Sequence, residues 1–378
     1  MIRTPLHNIL PSLRIPIVSG PMGGAAGGRL AAEVSRAGGF GFVGGGYLTP
    51  SQLDQEFAVV ESILERSTGS SHRMEIGVGF LGWKLSQLDS SPTSTLSNSA
   101  FDPASRPKAF ACIDSTLKKL PRAIWLAFGK SSDLSKWAKA FRERERALHG
   151  DRTEDSWKLF VGVGSEQEAK VAVEEVGADV VVAQGIEAGG HGNGSSPPLS
   201  TLLPHIARRL SSYRPLNPDS KPILLGAGGL SNGEHLVSCL ALGASGAVYG
   251  TRFLLTPESC YPDERKQVLL HAKEGSTVRS MAFDEARSTL DWPEGVDGRG
   301  IRNATVDDYE AGRDDKAARQ ATYMDAEKRG DADRLIVWAG TGVGNMDKIA
   351  PAGDVVRELE QEALQSMERV EAMSDSTS

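Results

Sequence analysis

Cysteine is scarce in this sequence: Cys112, Cys239 and Cys260 are the only three in 378 residues, widely spaced and without a CxxC pair. That excludes a disulfide framework and a cysteine zinc site, and it suits a reducing compartment such as the cytoplasm. Long apolar runs are missing too. Nothing approaches the ~18 residues of a membrane span, and the opening MIRTPLHNILPSLRIPIV is broken by prolines and charges, unlike a secretory signal. Positive charge is not in excess either. A net charge of −7 argues against nucleic acid and anionic membrane as partners, because both select clustered Lys and Arg. With 39% hydrophobic and 24% charged residues, the chain can bury a large core unaided, and a small molecule is the expected partner.

Glycine, in contrast, is plentiful, and it is patterned. Eight short β-rich runs occur in order: IPIVSG (15–20), GFGFVGGG (39–46), EIGVGFLG (75–82), AIWLAFG (123–129), LFVGVGS (159–165), DVVVAQG (179–185), PILLGAGG (222–229) and GAVYGTRF (246–253). Most end in Gly or Ser, and helix-like stretches follow them. Eight such units predict a (β/α)₈ barrel, with functional residues at the C-terminal strand ends. Thr49, Ser165 and Ser231 are expected helix N-caps, with left-handed C-caps at Gly177 and Gly243.

Two segments exceed a minimal barrel. A Ser-rich insertion spans about 86–107, followed by a helix in PKAFACIDSTLKKL. Residues 258–344 read as a helical cap on the barrel, a separate second domain being the alternative; 345–368 return to the barrel of 1–257 as a final amphipathic helix, and 369–378 read as a disordered tail.

Two consecutive strand ends look suited to a phosphate. Gly226, Gly228 and Gly229 sit where the seventh strand turns into a helix, and Gly250 and Thr251 follow the eighth. Glycines there let backbone N–H groups approach an anion, at the strands where barrel phosphate sites recur, although tight turns alone also select glycine. GTGVG (340–344) lacks the strand-to-helix context of a dinucleotide fingerprint and receives no cofactor role. After the sixth strand, AQGIEAGGHGNG (183–194) carries Gln184, Glu187, Gly189, Gly190 and His191. A histidine here is either structural or a proton acceptor at the barrel mouth. The Gln184 amide suits the polar edge of a flat heterocycle, Glu187 suits loop backbone N–H groups, and the two glycines leave room beside the imidazole. No second His or Cys stands at ligand spacing, so no metal is expected.

AQGIEAGGHGNG, LLGAGGLSNG, ALGASGAVYGTRFLLTPE and the opening PIVSGPMGG together resemble the nitronate monooxygenase family over residues 12–260, with a weaker echo at WAGTGVG and PAGDVVREL. The resemblance implies a (β/α)₈ barrel with a C-terminal helical extension and bound FMN. By motif position, Met22 and Gly23 would lie against the isoalloxazine, Gln184, Gly189 and Gly190 would contact the flavin, and Gly228, Gly229, Val248, Tyr249, Gly250 and Thr251 would line the phosphate end. His191 would be the catalytic base. The implied reaction is oxidation of alkyl nitronates, and of nitroalkanes, by O₂ to a carbonyl compound and nitrite. An FMN-dependent NAD(P)H oxidoreductase, of the enoyl-acyl carrier protein or quinone reductase kind, is the alternative; a non-catalytic flavin or phosphate binder is the third reading. Departures are Gly79, where an Asn is common, Val248-Tyr249 in place of Gln-Met, and Gly192-Asn193 where an Arg is common.

Overall fold

A computed structural model describes residues 2–67, 70–89, 101–151, 155–218 and 220–375. The eight expected runs are all strands: β1 (Ile17–Ser19), β2 (Phe42–Gly44), β3 (Met74–Leu81), β4 (Pro121–Ala127), β5 (Lys158–Val163), β6 (Val180–Gln184), β8 (Ile223–Ala227) and β9 (Ala247–Tyr249). They form one parallel sheet in the order β1-β9-β8-β6-β5-β4-β3-β2. A parallel bridge between Val18 and Phe40 joins its edges. The fold is therefore a (β/α)₈ barrel.

Side chains alternate across each strand, and the two sets do different work. Inward, Val18, Phe42, Trp125, Phe160, Val182, Leu225 and Val248 fill the barrel as one buried cluster. Phe42 is its centre, with ring centroids of Trp125 and Phe160 at 5.2 and 5.0 Å. Leu6, Leu10 and Leu13 join this cluster from the N-terminal segment. They plug the end where strands begin, since Thr4 Oγ1 donates to the Ser245 carbonyl just before β9 and Ser12 Oγ to Glu75 on β3. Outward, Ile17, Val181, Leu224 and Tyr249 pack beneath the helices. The open end is thus the C-terminal one.

Helix starts follow local chemistry. Thr49 accepts from Gln52 N and Ser165 from Glu168 N, as expected. At the helix Gly233–Ala241 the cap is Asn232 instead, accepting from His235 N. Ser231 lies one residue ahead of the cap, its backbone N–H donating to His235 Nδ1 at 3.0 Å and its hydroxyl oxygen accepting from Asn345 Nδ2 at 3.2 Å. Gly177 and Gly243 have the expected positive φ, +80° and +98°.

The segment 258–344 is not helical throughout. Besides helices it holds β10 (Thr277–Ser280) and β11 (Val296–Ile301), which form an antiparallel sheet with β7 (Gly190–Asn193) from the loop after β6. TVRS and VDGRGI are short and polar, so periodicity did not separate them from loops. The terminal helix, Ala352–Asp375, packs on the helices Gly28–Arg36 and Gly233–Ala241. It runs on through 369–375, which were expected to be tail; residues 376–378 lie outside the described residues, as do 90–100 of the Ser-rich insertion.

Candidate active site

The C-terminal strand ends open into a cavity of about 590 Å³, within the range of cofactor sites. At one end lie the two glycine turns. After β8, Gly228 and Gly229 have φ of +117° and +70°; a Cβ on Gly229 would lie 2.8 Å from Thr341 Oγ1 and 2.9 Å from Glu187 Cβ. Only glycine fits this turn. Among the described residues the backbone N–H groups of Gly228, Gly229 and Gly250 donate to no acceptor. Half-buried donors that the chain leaves open are taken by water or by a ligand, and N–H groups gathered on one cavity can act as an anion nest. The residues present therefore fit a phosphoryl group.

Met22, Gly23, Gln184, Gly189, Gly190, His191, Val248 and Thr251 all line the same cavity, with Gly228, Gly229 and Gly250. Tyr249 does not. Alternation along β9 sends its ring to the outer layer, where its hydroxyl donates to the Asn232 carbonyl at 2.8 Å. Burial pushes that phenol well above its usual range. Gln184 Nε2 donates to the His191 carbonyl at 2.8 Å, so this amide anchors the histidine turn as well as facing the cavity. Gly189 is a close-approach position, since a Cβ there would lie 2.4 Å from the Gly340 nitrogen. Gly340 N in turn donates to Thr251 Oγ1 at 3.0 Å, and Gly340 and Gly342 line the cavity. The 340–344 segment, given no role from sequence, is thus part of the site wall.

His191 is held from three sides. Its Nε2 lies 2.9 and 3.0 Å from the two carboxylate oxygens of Asp284. Trp292 stacks on the ring at 3.6 Å between centroids and 11° between planes, and Trp338 approaches at 5.0 Å. Asp284 is fully buried, and Thr289 Oγ1 donates to it at 2.8 Å. Asp284, Trp292 and Trp338 come from the segment after the barrel and were not found from sequence. No spacing rule links residues 93 positions apart. Glu187 takes the loop-orienting role, accepting from Leu199 N with both oxygens at 3.0 Å.

The departures from the family pattern have local explanations. A Cβ on Gly79 would lie 2.3 Å from Pro21 Cβ, so the proline occupies the space of the common Asn. Over Gly192, where an Arg is common, lies Arg279 from β10: its guanidinium is 3.5 Å from a Cβ there and donates to the Gly192 carbonyl at 2.8 Å. Asn193 binds Glu168 Oε1 at 3.1 Å. Around the mouth the phenols stay protonated: burial pushes Tyr261 up to about 12, and desolvation raises Tyr47, against the pull of Arg287 and with help from Asp284. Among the described residues no group of three His, Cys, Asp or Glu side chains could hold a metal. Nor is any helix among them long and apolar enough to cross a membrane.

A closed barrel whose last two strand ends form an anion nest beside a fixed imidazole has the layout of an enzyme built around a phosphorylated cofactor. The nitronate monooxygenase family profile matches residues 3–72 and 144–362. The chain belongs to that family of flavin-dependent oxidoreductases and is an enzyme of nitronate oxidation. It is 33% identical to a nitronate monooxygenase of Neurospora crassa, over 98% of this chain and 95% of that one. A nitronate monooxygenase of Metarhizium robertsii is 29% identical over 95% and 94%. Among solved structures, FabK from Thermotoga maritima superposes with a TM-score of 0.71 at 21% identity, covering 99% of this chain and 100% of that one. A nitroalkane oxidase from Streptomyces ansochromogenes gives 0.69 at 24%, covering 97% and 99%. These two likenesses concern the fold.

Proposed function

We propose that the flavin is FMN, held in the barrel mouth, and that the enzyme oxidises alkyl nitronates with O₂ to a carbonyl compound and nitrite, accepting neutral nitroalkanes through His191. One observation carries this reading: the open N–H groups of the two glycine turns and the anchored imidazole face a single cavity. Gly228, Gly229, Gly250 and Thr251 would hold the phosphate. Met22, Gly23, Gln184, Gly189, Gly190 and Val248 would border the ring, Tyr249 contributing main chain only.

When bound, the flavin supplies the electron acceptor that a carbon acid and its anion need, and the site's residues do the rest. His191 takes the proton from the carbon beside a nitro group, or orients the anion when the substrate arrives already as nitronate. Trp292 and Trp338 wall that position and exclude water, which strengthens each polar contact made there. Residues 258–344 act as the cap of the barrel, delivering both tryptophans. Three unpaired thiols, two of them buried, suit the cytoplasm.

The test is direct. Purified protein should be yellow, should release FMN on heating, and should form nitrite from propyl nitronate in air. His191→Asn should retain the flavin and lose activity on nitroethane more than on its preformed nitronate, because only the neutral form requires proton abstraction. Equal activity of mutant and parent on nitroethane would remove the base role.

A further inference from the structure

A histidine can serve as a base through one ring nitrogen only if the other is settled, and here the settling group comes from outside the barrel. We infer that Asp284 is a positioning residue that fixes the tautomer of His191 with the proton on Nε2 and the basic lone pair on Nδ1. This rests on the reading of His191 as the group that handles the substrate proton.

The geometry carries it. Both oxygens of Asp284 lie within 3.0 Å of Nε2. A carboxylate only accepts hydrogen bonds, so the nitrogen facing it must carry the hydrogen. Asp284 is 0% exposed, and water does not compete for it. Thr289 Oγ1 donates to Oδ1, which holds the carboxylate in its plane. Nδ1 makes no hydrogen bond among the described residues, and His191 lines the cavity. Rotation of the ring is opposed on its face by Trp292, while Gln184 and the pairing of His191 with Gly298 hold its backbone.

The chemical consequence is balanced. Nδ1 takes the proton from the carbon bearing the nitro group, and the C–H electron pair stays on the substrate as the nitronate. The imidazolium that forms is stabilised by the Asp284 carboxylate. A comparable carboxylate–imidazole pair loses on the order of 10⁴ in turnover when Asp becomes Asn.

The experiment is Asp284→Asn in the flavin-loaded enzyme. Asn keeps the shape of the side chain but loses the charge, and one of the two atoms within 3.0 Å of Nε2 becomes an N–H donor, so the hold on the Nε2–H tautomer weakens. In protein labelled with ¹⁵N-histidine, the His191 signals, recognised by their loss in His191→Asn, should report Nε2–H in the parent and a shift toward Nδ1–H in the variant. With nitroethane, kcat/KM should fall about 10²–10⁴-fold, while preformed ethyl nitronate should change less than about tenfold. Asp284→Glu should recover part of the loss. An Nδ1–H ring in the parent, or a ring as fully Nε2–H in the variant as in the parent, overturns the inference, as does an equal loss on both substrates, which marks Asp284 as merely structural. The tautomer signal decides the matter even where nitroethane is a poor substrate. Should His191→Asn itself fail to separate the two substrates, the base reading fails, whereas a separation by His191→Asn and none by Asp284→Asn removes this inference alone.

Discussion

Stacking on Trp292 holds His191 alongside its hydrogen bonding to Asp284. An aromatic contact of this kind contributes about 0.5–1.5 kcal/mol beyond the buried area, enough to favour one ring orientation about two- to tenfold. Trp292→Phe should keep it and Trp292→Ala should not: the alanine variant is expected to retain flavin yet lose roughly tenfold in kcat on nitroethane. A steady-state comparison of the two variants checks this, and equal rates would contradict it. Gly79 offers a second residue-level prediction. Installing the common Asn should destabilise by about 1–3 kcal/mol through overpacking against Pro21, and the cost should shrink when Pro21→Gly is added, because glycine removes the Cβ and Cγ that the new side chain meets; thermal melts of single and double variants measure it. At this scale legibility was uneven. His191 was visible because it follows a buried strand and two glycines, both local signals. Its partner Asp284 was not, because only folding brings FDEAR to the barrel mouth.

The turn after β8 depends on a second histidine. Burial pushes His235 below its ordinary pKa of 6.5 despite the nearby Glu234, which pulls it up. Its Nδ1 accepts from Ser231 N, which requires the neutral ring. As pH falls below 6.5 the unfolded chain takes a proton first, so this stability is complete above that value and is lost as pH drops toward the lower folded pKa. Melting temperature should therefore fall more steeply between pH 7 and pH 5 in the parent than in His235→Gln, and parallel slopes would contradict the assignment. Gly189→Ala tests the neighbouring loop: its Cβ would meet the Gly340 nitrogen at 2.4 Å, so backbone must shift. Strain of about 1–3 kcal/mol should weaken flavin binding roughly five- to hundredfold, read by fluorescence titration. Among elements, the eight barrel strands were legible because strands buried on both faces read as continuous apolar runs ending in glycine. The strands β7, β10 and β11 of the small sheet carry His, Arg and Asp, and β7 pairs with a strand far off in sequence, so nothing local marked them.

Chain path ties the whole molecule together. β7 leaves the barrel to pair with β11 of the 258–344 segment, and that segment returns through the terminal helix, which packs against two barrel helices. The barrel and the 258–344 segment should thus unfold in one transition, and an excess of FMN near 100 Kd should raise stability by about 2.7 kcal/mol. A counting argument sufficed for the barrel, since eight βα units close a cylinder. The contribution of Asp284, Trp292 and Trp338 to the site was hidden, because the sequence places them beyond every recognisable barrel motif. The central claim, that a nitronate rather than a nicotinamide delivers electrons to a flavin beside His191, is tested most directly by anaerobic mixing of the yellow protein with propyl nitronate and, separately, with NADH or NADPH. Bleaching of the flavin absorbance by the nitronate alone is the predicted result; bleaching by the nicotinamide with none by the nitronate would contradict the account.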